Sequence, residues 1–327
     1  MSSLRWGILS TARIGKSVMK GIGMSNACCM QAVASRDETR AREWAKEHGI
    51  PRAFDSYEEL LNSGEVDAIY NPLPNSMHAE WTIKALEAGL PVLCEKPFTV
   101  TAAEARKVVK AAQKRHLPVA EAFMYRYHPV YERVRELIDQ GAIGDVITIR
   151  SVFSFSLDDP DNIRLKPELA GGALMDVGCY CVNFSRMMAR CEPNYASAFT
   201  RQRGVDTTVI GCLEFPNNVL GYFECSFETH PRARAVVKGT EGTIILPSPW
   251  FPGEDRAEII LRHGDDERRE YTPGADTYRL EIEDFVNACR THQPLRWPPE
   301  DAVANMAAID AIYQSAKERC PVKVAKN

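Results

Sequence analysis

The first 123 residues alternate short apolar runs with amphipathic helical segments, and this alternation constrains the fold more than any other feature. The predicted strands are residues 5–9, 30–35, 68–70, 92–94 and 119–122. The predicted helices are residues 14–22, 38–48, 77–88 and 102–115. Strands that alternate with helices form a parallel sheet with helices on both faces. The sequence therefore predicts an N-terminal α/β domain with a doubly wound parallel sheet of the Rossmann type.

The pattern changes after residue 123, where strand-like segments follow one another with few helices between them. The predicted strands are residues 146–155, 207–215, 219–227 and 234–238, and the predicted helices are residues 130–139, 173–188, 278–290 and 300–317. This succession favours an α+β domain built on a mostly antiparallel open sheet. We therefore predict two domains, 1–123 and 124–327, a division that suits a chain of 327 residues.

Composition and charge exclude several classes of protein. The hydrophobic fraction of 45% and the charged fraction of 26% are ordinary for a globular enzyme and exclude a disordered or fibrous chain. A net charge of −4 argues against nucleic acid or acidic lipid as the main partner. No apolar run approaches the roughly 20 residues that span a bilayer, and the segment MSSLRWGILS lacks the features of a secretory signal.

Ten cysteines are scattered through the sequence without a C-x-x-C pair or a histidine at metal-finger spacing. Most of them lie inside apolar stretches, where a free thiol behaves as a small hydrophobic side chain. We therefore expect free cysteines, no metal site and a cytoplasmic location.

The first predicted strand leads into a loop at the position of the G-x-G-x-x-G loop of dinucleotide-binding domains. Its residues are Ser10, Thr11, Ala12, Arg13, Ile14 and Gly15. Small residues are needed there because backbone amides and a helix N-terminus approach a pyrophosphate. Ser10 and Ala12 replace two of the glycines, so the pattern by itself also fits a plain tight turn. Residues 10–14 are candidate cofactor contacts.

The second predicted strand ends in Ser35-Arg36-Asp37, about twenty residues after this loop. An NAD-binding domain usually has an acidic residue there to bind the ribose hydroxyls. Here a hydroxyl and a guanidinium precede the acid, and a guanidinium pairs with a 2′-phosphate and stacks on adenine. Ser35 and Arg36 are therefore candidate contacts, and NADP is favoured over NAD. Arg36 also fits a solvated residue at a helix start.

Three further motifs are more specific. They are Asn71-Pro72-Leu73-Pro74-Asn75-Ser76-Met77-His78, Glu95-Lys96-Pro97, and Gly171-Gly172-Ala173-Leu174-Met175-Asp176-Val177-Gly178-Cys179-Tyr180. In this order they resemble the Gfo/Idh/MocA family of oxidoreductases, and the resemblance covers essentially the whole chain. It implies a dinucleotide-binding Rossmann domain at 1–123 and a substrate-binding and oligomerisation domain at 124–327.

Many members of that family carry histidine where this chain has Tyr180. Tyrosine resembles the branch that contains dimeric dihydrodiol dehydrogenases, NADP-dependent xylose dehydrogenases and glucose–fructose oxidoreductase, which also matches residues 121–129 and 162–165. The resemblance implies an NADP-dependent oxidoreductase acting on a CH–OH group of a sugar or polyol, as an aldose 1-dehydrogenase does. A trans-dihydrodiol dehydrogenase and a non-catalytic NADP-binding regulator are the alternatives.

Oxidation of a carbinol needs a hydride acceptor, a group that takes the hydroxyl proton, and positive charge near the forming alkoxide. In the family the lysine of the E-K-P motif is the catalytic hallmark, and here it is Lys96. Asp176 and Tyr180 are four residues apart and share a helical face. A tyrosine has a pKa of about 10, which a nearby ammonium lowers. We assign Tyr180 the acid/base role and Asp176 substrate orientation, with an exchange of these roles left open.

The resemblance extends to further candidate contacts. Those for the cofactor are Asn71, Pro72, Leu73, Asn75, His78, Glu95 and Lys96. Those for the substrate are Arg126, His128, Phe155, Arg164 and Asp176. Arg126, His128 and Arg164 are polar groups in aromatic surroundings, and each also fits a structural ion pair.

Two predicted strands of the second domain are apolar on both faces. Val209 alternates with Ile210 in one of them, and Tyr222 alternates with Phe223 in the other. Helices of the same domain cover only one face of such a sheet, so the other face is a candidate contact surface. Family members of this kind pair through that sheet, and we therefore expect a homodimer with a two-fold axis.

Overall fold

The computed structural model describes residues 3–326, which form two compact units. The first consists of the residues up to Met124 together with Thr277–Val303. The second consists of Tyr125–Asp276 together with the residues from Ala304 onward. This division differs from the single boundary predicted near residue 123, because Ile282 and Phe285 belong to the hydrophobic core of the first unit. A contact between residues so far apart in the chain leaves no local pattern in the sequence.

A six-stranded parallel sheet forms the first unit. Its strands are β1 (Leu4–Leu9), β2 (Cys28–Ala34), β3 (Arg52–Phe54), β4 (Ala68–Asn71), β5 (Val92–Glu95) and β6 (Val119–Ala122). The helices between them are α1 (Gly15–Gly23), α2 (Glu38–His48), α3 (Tyr57–Asn62), α4 (His78–Glu87) and α5 (Ala102–Arg115). The strand order is β3-β2-β1-β4-β5-β6, and every neighbouring pair is parallel. The predicted Rossmann sheet is confirmed, and all six strands end at the same edge.

Local capping explains why two helices have the bounds predicted from the sequence. The Asp37 carboxylate accepts the backbone N–H of Arg40 at the start of α2, and Gly49 ends that helix with a φ of 64°. The hydroxyl of Thr101 caps α5 in the same way. In contrast, β3 and α3 were not predicted, because elements of 3 and 6 residues are too short to show a clear periodicity.

A nine-stranded sheet forms the second unit. Its strands are β7 (Val146–Ser154), β8 (Tyr195–Arg203), β9 (Val205–Glu214), β10 (Leu220–Ser226), β11 (Arg232–Gly239), β12 (Thr243–Leu246), β13 (Arg256–His263), β14 (Asp266–Pro273) and β15 (Val322–Lys323). Its first helices are α6 (Pro129–Asp139) and α7 (Cys179–Ala189). The order is β14-β13-β12-β11-β7-β10-β9-β8-β15, and within residues 3–326 only β7 and β10 pair in parallel. The predicted, mostly antiparallel open sheet is confirmed.

The central strands of this sheet bury one apolar face and expose the other. Val209 of β9 is buried, whereas its neighbour Ile210 is 56% exposed. The register pairs Ile210 with Phe199 of β8, which is 72% exposed. Helix α7 packs on β7 and β10. The alternation predicted from the sequence is therefore present.

Two long helices close the chain, α8 (Thr277–Thr291) and α9 (Pro299–Glu318). Helix α8 packs against α1, and the ring of Phe285 lies 5.3 Å from that of Trp6 in β1. The two helices approach closely at Gly21, where a Cβ would lie 2.9 Å from the backbone nitrogen of Arg279. In the part of the chain that is described, no helix has the length and apolar character needed to span a membrane.

Because α1 and α8 approach closely at Gly21, a methyl group added there should destabilise the protein, whereas one added elsewhere in α1 need not. We expect Gly21→Ala to lower the free energy of unfolding by about 1–3 kcal/mol, because the backbone of Arg279 must move. Gly23→Ala in the same helix is the control, since no heavy atom lies within 4 Å of the added carbon. Urea unfolding of both variants measures the difference. Equal stabilities would show that α8 does not pack closely at Gly21.

Candidate active site

The loop between β1 and α1 lies at the edge where the strands of the first sheet end. Ser10 has a φ of 102°, in the left-handed region that favours glycine. Gly15 is the first residue of α1, and a Cβ at this position would lie 2.7 Å from Cδ1 of the buried Ile8. The loop therefore keeps the tight turn and the close helix–strand packing of a dinucleotide-binding loop, although a serine stands in place of the first glycine.

The start of α1 is arranged for an anionic group. Ile14 occupies the N-cap position without a side-chain hydrogen bond to the helix, and no acidic residue lies in the first turn. Among the other loop residues, Thr11 is buried, Ala12 is half-buried and Arg13 is exposed. A helix N-terminus without a side-chain cap offers its N–H groups and its positive partial charge to a ligand. These residues fit the pyrophosphate of a dinucleotide.

Two arginines lie near the tip of β2, where Ser35 is buried and Arg36 exposed. Burial raises the pKa of Tyr57, and the charges of Arg36 and Arg40 oppose this effect. Asp37 accepts the backbone N–H of Arg40 at 3.0 Å, so the acid of the motif serves as the cap of α2. Two guanidinium groups therefore face the same tyrosine, an arrangement that fits a phosphate. Arg40 was not identified from the sequence.

Lys96 follows β5 at the same edge of the sheet and is half-buried. Buried carboxylates hold the backbone around it. Glu95 accepts the hydroxyl of Tyr70 at 2.6 Å, and Glu121 accepts the backbone N–H of Phe98 at 2.8 Å. Burial, reinforced by the charge of Glu95, raises the pKa of Tyr70, so its hydroxyl stays protonated as a donor. Lys96 therefore lies on a segment whose backbone is fixed on both sides.

His78 links the loops that follow β4 and β5. Its ring is 1% exposed, with Nε2 at 2.7 Å from the carbonyl oxygen of Leu73 and Nδ1 at 2.8 Å from that of Pro97. Each ring nitrogen faces a backbone carbonyl oxygen, and a neutral ring, which carries one N–H, donates to one of the two. Burial lowers the pKa of His78 to about 4; the two carbonyl contacts oppose this effect and the charge of Lys96 reinforces it. The ring joins the loop after β4 to the residue that follows Lys96.

Asn71 shapes the same loop from the end of β4. Its amide donates to the hydroxyl of Thr82 at 3.0 Å and to the carbonyl of His78 at 3.3 Å, and its oxygen accepts the N–H of Leu73. Asn71, Pro72 and Leu73 are buried, and Asn75 is half-buried. Their contact with a cofactor stays a prediction.

The segment that carries Asp176 and Tyr180 begins as a π-helix, Leu174–Gly178, and continues as α7. Arg164 donates from Nε to Oδ2 of Asp176 at 2.6 Å, and the Asp176 side chain is 13% exposed. The fold thus brings together two residues that the sequence analysis assigned to the substrate. Short π segments inside helices are frequent at functional sites.

Tyr180 is buried in a cluster of aromatic rings. Its ring centroid lies 5.6 Å from that of Tyr125, 5.5 Å from that of Phe153 and 5.7 Å from that of Trp250. The hydroxyl of Tyr125 donates to Oδ1 of Asn183 at 2.6 Å. The acid/base candidate is therefore surrounded by largely apolar surfaces.

Phe153 and Trp250 were not identified from the sequence. Phe153 is two residues before Phe155, and alternation along a strand places both on one face, which was the available signal. Phe155 itself is half-buried and packs against Phe227 with ring centroids 5.2 Å apart. Trp250 follows β12 in an irregular segment without periodicity, so nothing in the sequence pointed to it.

His128 and Arg126 are buried. The Nδ1 atom of His128 accepts the backbone N–H of Val130 and caps α6, and Nε2 donates to the carbonyl of Gly253 at 3.1 Å. Burial lowers the pKa of His128, in agreement with a neutral ring that accepts at one nitrogen and donates at the other. Backbone groups use both ring nitrogens of His128, and its contact with a substrate stays a prediction.

Comparisons with known proteins match both units. Residues 4–123 match the family model described as an oxidoreductase family with an NAD-binding Rossmann fold, and residues 131–245 match the GFO/IDH/MocA C-terminal domain. D-xylose 1-dehydrogenase (NADP(+)) 2 of Haloferax volcanii is 41% identical over 327 residues, which cover 98% of this chain and 100% of that protein. The trans-1,2-dihydrobenzene-1,2-diol dehydrogenase of Homo sapiens is 38% identical over 259 residues, 77% of each chain.

Solved structures share the fold over almost the whole chain. A 3-ketoreductase from Actinomadura kijaniata in complex with NADP and TDP-benzene matches with a TM-score of 0.92 and 25% identity, covering 96% of this chain and 98% of that one. An aldose-aldose oxidoreductase from Caulobacter crescentus matches with a TM-score of 0.90 and 22% identity, covering 98% and 100%. The second match concerns the fold alone.

The buried imidazole of His78 makes stability depend on pH. Its pKa is about 4 in the folded protein and near 6.5 in the unfolded chain, so the unfolded state binds the proton first as the pH falls. The stabilisation is fully present above pH 6.5 and declines towards pH 4, by up to about 3 kcal/mol. Urea unfolding of the wild type and of His78→Gln across this range isolates the effect. A stability difference that grows as the pH falls would indicate an imidazolium that donates to both carbonyls.

Proposed function

The chain belongs to the Gfo/Idh/MocA family of oxidoreductases, and from this premise we propose that it transfers a hydride between NADP and a carbinol or carbonyl carbon of a sugar, as an aldose 1-dehydrogenase. The observation that carries this proposal is 41% identity to a D-xylose 1-dehydrogenase over 98% of the chain. Lys96 at the strand edge and the Asp176–Tyr180 helix lie within that matched length.

Each candidate residue has a chemical task in this reaction. Bound nicotinamide supplies the hydride acceptor or donor. The hydroxyl of Tyr180 exchanges the proton of the substrate hydroxyl, and its apolar surroundings exclude competing water. Asp176, oriented by Arg164, accepts a hydrogen bond from a second substrate hydroxyl. The ammonium of Lys96 stabilises the negative charge that develops on the substrate oxygen.

A substrate panel tests the proposal directly. Aldoses, polyols and trans-dihydrodiols are offered with NADP, and formation of the reduced nicotinamide is followed by its absorbance. We expect turnover with an aldose. Exclusive turnover of a dihydrodiol would favour the second candidate, trans-dihydrodiol oxidation, which the aromatic cluster around Tyr180 and the 38% identity to a dihydrodiol dehydrogenase support. Absence of turnover with every compound would contradict both.

Removal of the proposed catalytic groups should slow the reaction without loss of the cofactor. We expect Lys96→Met to lower kcat by about 100- to 1000-fold, because the ammonium acts on charge that develops in the transition state. Tyr180→Phe should lower kcat similarly, with part of the rate recovered at high pH as hydroxide replaces the base. Steady-state kinetics measure kcat, and fluorescence titration with NADPH measures the binding of the cofactor.

Tyr125→Phe is the matched control for Tyr180→Phe. Tyr125 is a buried neighbour of Tyr180 whose hydroxyl donates to Asn183, so its loss should reduce stability and leave kcat within about fivefold. Near-normal kcat in Lys96→Met, or a pH profile of Tyr180→Phe identical to that of the wild type, would contradict the assigned roles.

We also propose that Arg36 and Arg40 read the 2′-phosphate of NADP. Arg36→Ala and Arg40→Ala should each weaken NADP binding by about 10- to 100-fold, since each loses a charge-assisted hydrogen bond, and should change NAD binding little. Arg42→Ala is the control, because Arg42 lies in the same helix and pairs with Glu38. Fluorescence titrations with both reduced nucleotides measure the effect. Equal losses for the two nucleotides would show that these arginines do not read the phosphate.

The exposed face of the second sheet supports a homodimer. The strand register places Tyr195 and Phe199 of β8, Ile210 of β9, and Leu220 and Tyr222 of β10 on one face, and each is at least 36% exposed. Exposed apolar side chains that are contiguous mark interaction surfaces. A two-fold axis would pair this face with the same face of a second copy.

Light scattering at micromolar concentration tests the dimer. We expect twice the monomer mass of 36.6 kDa for the wild type and the monomer mass for Ile210→Arg. Ile147→Arg is the control, because Ile147 is 45% exposed but lies on the opposite face of the sheet. Its neighbour Thr148 pairs with Leu220 and so shares the face of Leu220, and successive side chains of a strand point to opposite faces. A wild-type mass of 36.6 kDa would contradict the proposal.

A reducing compartment, the cytoplasm, is the location that we propose. All ten cysteines are free, and several are fully buried, which supports a chain folded without disulfides. Burial raises the pKa of the Cys181 and Cys289 thiols to about 12, so these thiols resist oxidation. Among residues 3–326, no group of three or more histidine, cysteine or acidic side chains is placed to hold a metal ion.

A further inference from the structure

A buried carboxylate in the second unit has none of the roles described above. Asp206 lies near the start of β9 and is 4% exposed. Its Oδ2 accepts the backbone N–H of Leu174 at 2.7 Å, and its Oδ1 accepts the hydroxyl of Tyr313 on α9 at 2.9 Å. Leu174 is the first residue of the π-helical segment that carries Asp176 and leads into the helix of Tyr180.

Gly171 and Gly172, which precede this helical segment, pass close to the backbone carbonyl of Arg164 and to the Asp206 carboxylate. Gly172 has a φ of 122°, and a Cβ there would lie 2.2 Å from Oδ1 of Asp206. A Cβ at Gly171 would lie 2.3 Å from the carbonyl oxygen of Arg164, which accepts the N–H of Gly172 at 2.9 Å. Two glycines are therefore needed for the backbone to pass between Asp206 and Arg164.

The first N–H groups of a helix have no partner inside the helix and need an external acceptor. Asp206 supplies that acceptor from a strand 32 positions along the chain, and Tyr313 holds the carboxylate from a third element. Burial raises the pKa of Asp206 to about 6, so the group is ionised at neutral pH and faces the positive end of the helix as an anion.

We propose that Asp206 is a positioning residue for the reaction, which fixes the start of the π-helical segment and thereby places Asp176 and Tyr180. The inference rests on the proposed function and adds to it a residue that the sequence analysis did not single out. Asp176 is two residues after Leu174 and Tyr180 is six residues after it, so a shift of the helix start moves both side chains together. Misplacement of reacting groups by about 1 Å can cost a hundredfold in rate.

Three variants test the proposal against a matched control. Asp206→Ala removes the acceptor, whereas Asp206→Asn keeps an oxygen for Leu174 and turns its amide towards the hydroxyl of Tyr313. Tyr313→Phe removes the second contact. Ser315→Ala is the control, because the buried Ser315 on the same helix accepts the N–H of Ala198 and donates to the carbonyl of Cys320, away from the π-helical segment.

We expect Asp206→Ala to lower kcat about 30- to 100-fold with the NADPH dissociation constant within twofold of the wild type, and Asp206→Asn to recover kcat to within about fivefold. Tyr313→Phe should lower kcat about 3- to 10-fold. Amide hydrogen exchange of residues 171–180 should accelerate in Asp206→Ala and Tyr313→Phe. Ser315→Ala should leave both kcat and this exchange unchanged while lowering the melting temperature.

A kcat within twofold of the wild type in Asp206→Ala, unaccelerated exchange at 171–180, or an equal loss of kcat in Ser315→Ala would overturn the proposal. If Asp206→Ala does not fold, Tyr313→Phe decides, and unchanged kcat and exchange in that variant overturn it. Hydrogen exchange needs no substrate. A wild type that turns over no sugar therefore overturns the proposed function. Accelerated exchange of residues 171–180 in Asp206→Ala and Tyr313→Phe would still support a positioning role of Asp206, and unchanged exchange would still refute it.

Discussion

Parallel pairing of six strands is the constraint on which the first unit depends. Because every neighbouring pair runs in the same direction, the chain leaves all strands at one edge, and the loops after β1, β2, β4 and β5 are gathered there. The uncapped start of α1, the arginines beyond β2, and Lys96 come from different parts of the sequence and share that edge. If one of these strands ran in the opposite direction, the loop that follows it would lie at the other edge of the sheet.

Buried carboxylates fix the backbone beside the candidate catalytic residues in both units. Glu121 accepts the N–H of Phe98, two residues after Lys96, and Asp206 accepts the N–H of Leu174, two residues before Asp176. An ionised acceptor makes a stronger hydrogen bond than a neutral one, and its burial is costly unless its donors are in place. Such groups therefore hold short segments in one geometry, which catalysis requires and hydrophobic packing alone specifies less sharply.

Local signals in the sequence predicted a large part of the fold. The bounds of α2 and α5 follow from Asp37 and Thr101, whose caps act within three residues of the helix start. The family resemblance, which rested on three motifs, is confirmed by the match of both units to family models. The contacts of the candidate site residues stay predictions. His128, for example, caps α6 through a ring nitrogen, and in the sequence such a histidine is indistinguishable from a substrate ligand.

The sequence by itself determined the two kinds of sheet, the order of most elements and the family, because periodicity, caps and motifs are local properties of the chain. Only the tertiary structure decided that residues 277–303 belong with the first sheet, that Arg164 pairs with Asp176, and that Asp206 anchors the helix of Tyr180. These contacts join residues between 12 and more than 200 positions apart. They arise from the packing of whole helices and strands, and the local sequence around one residue of such a pair does not identify the other.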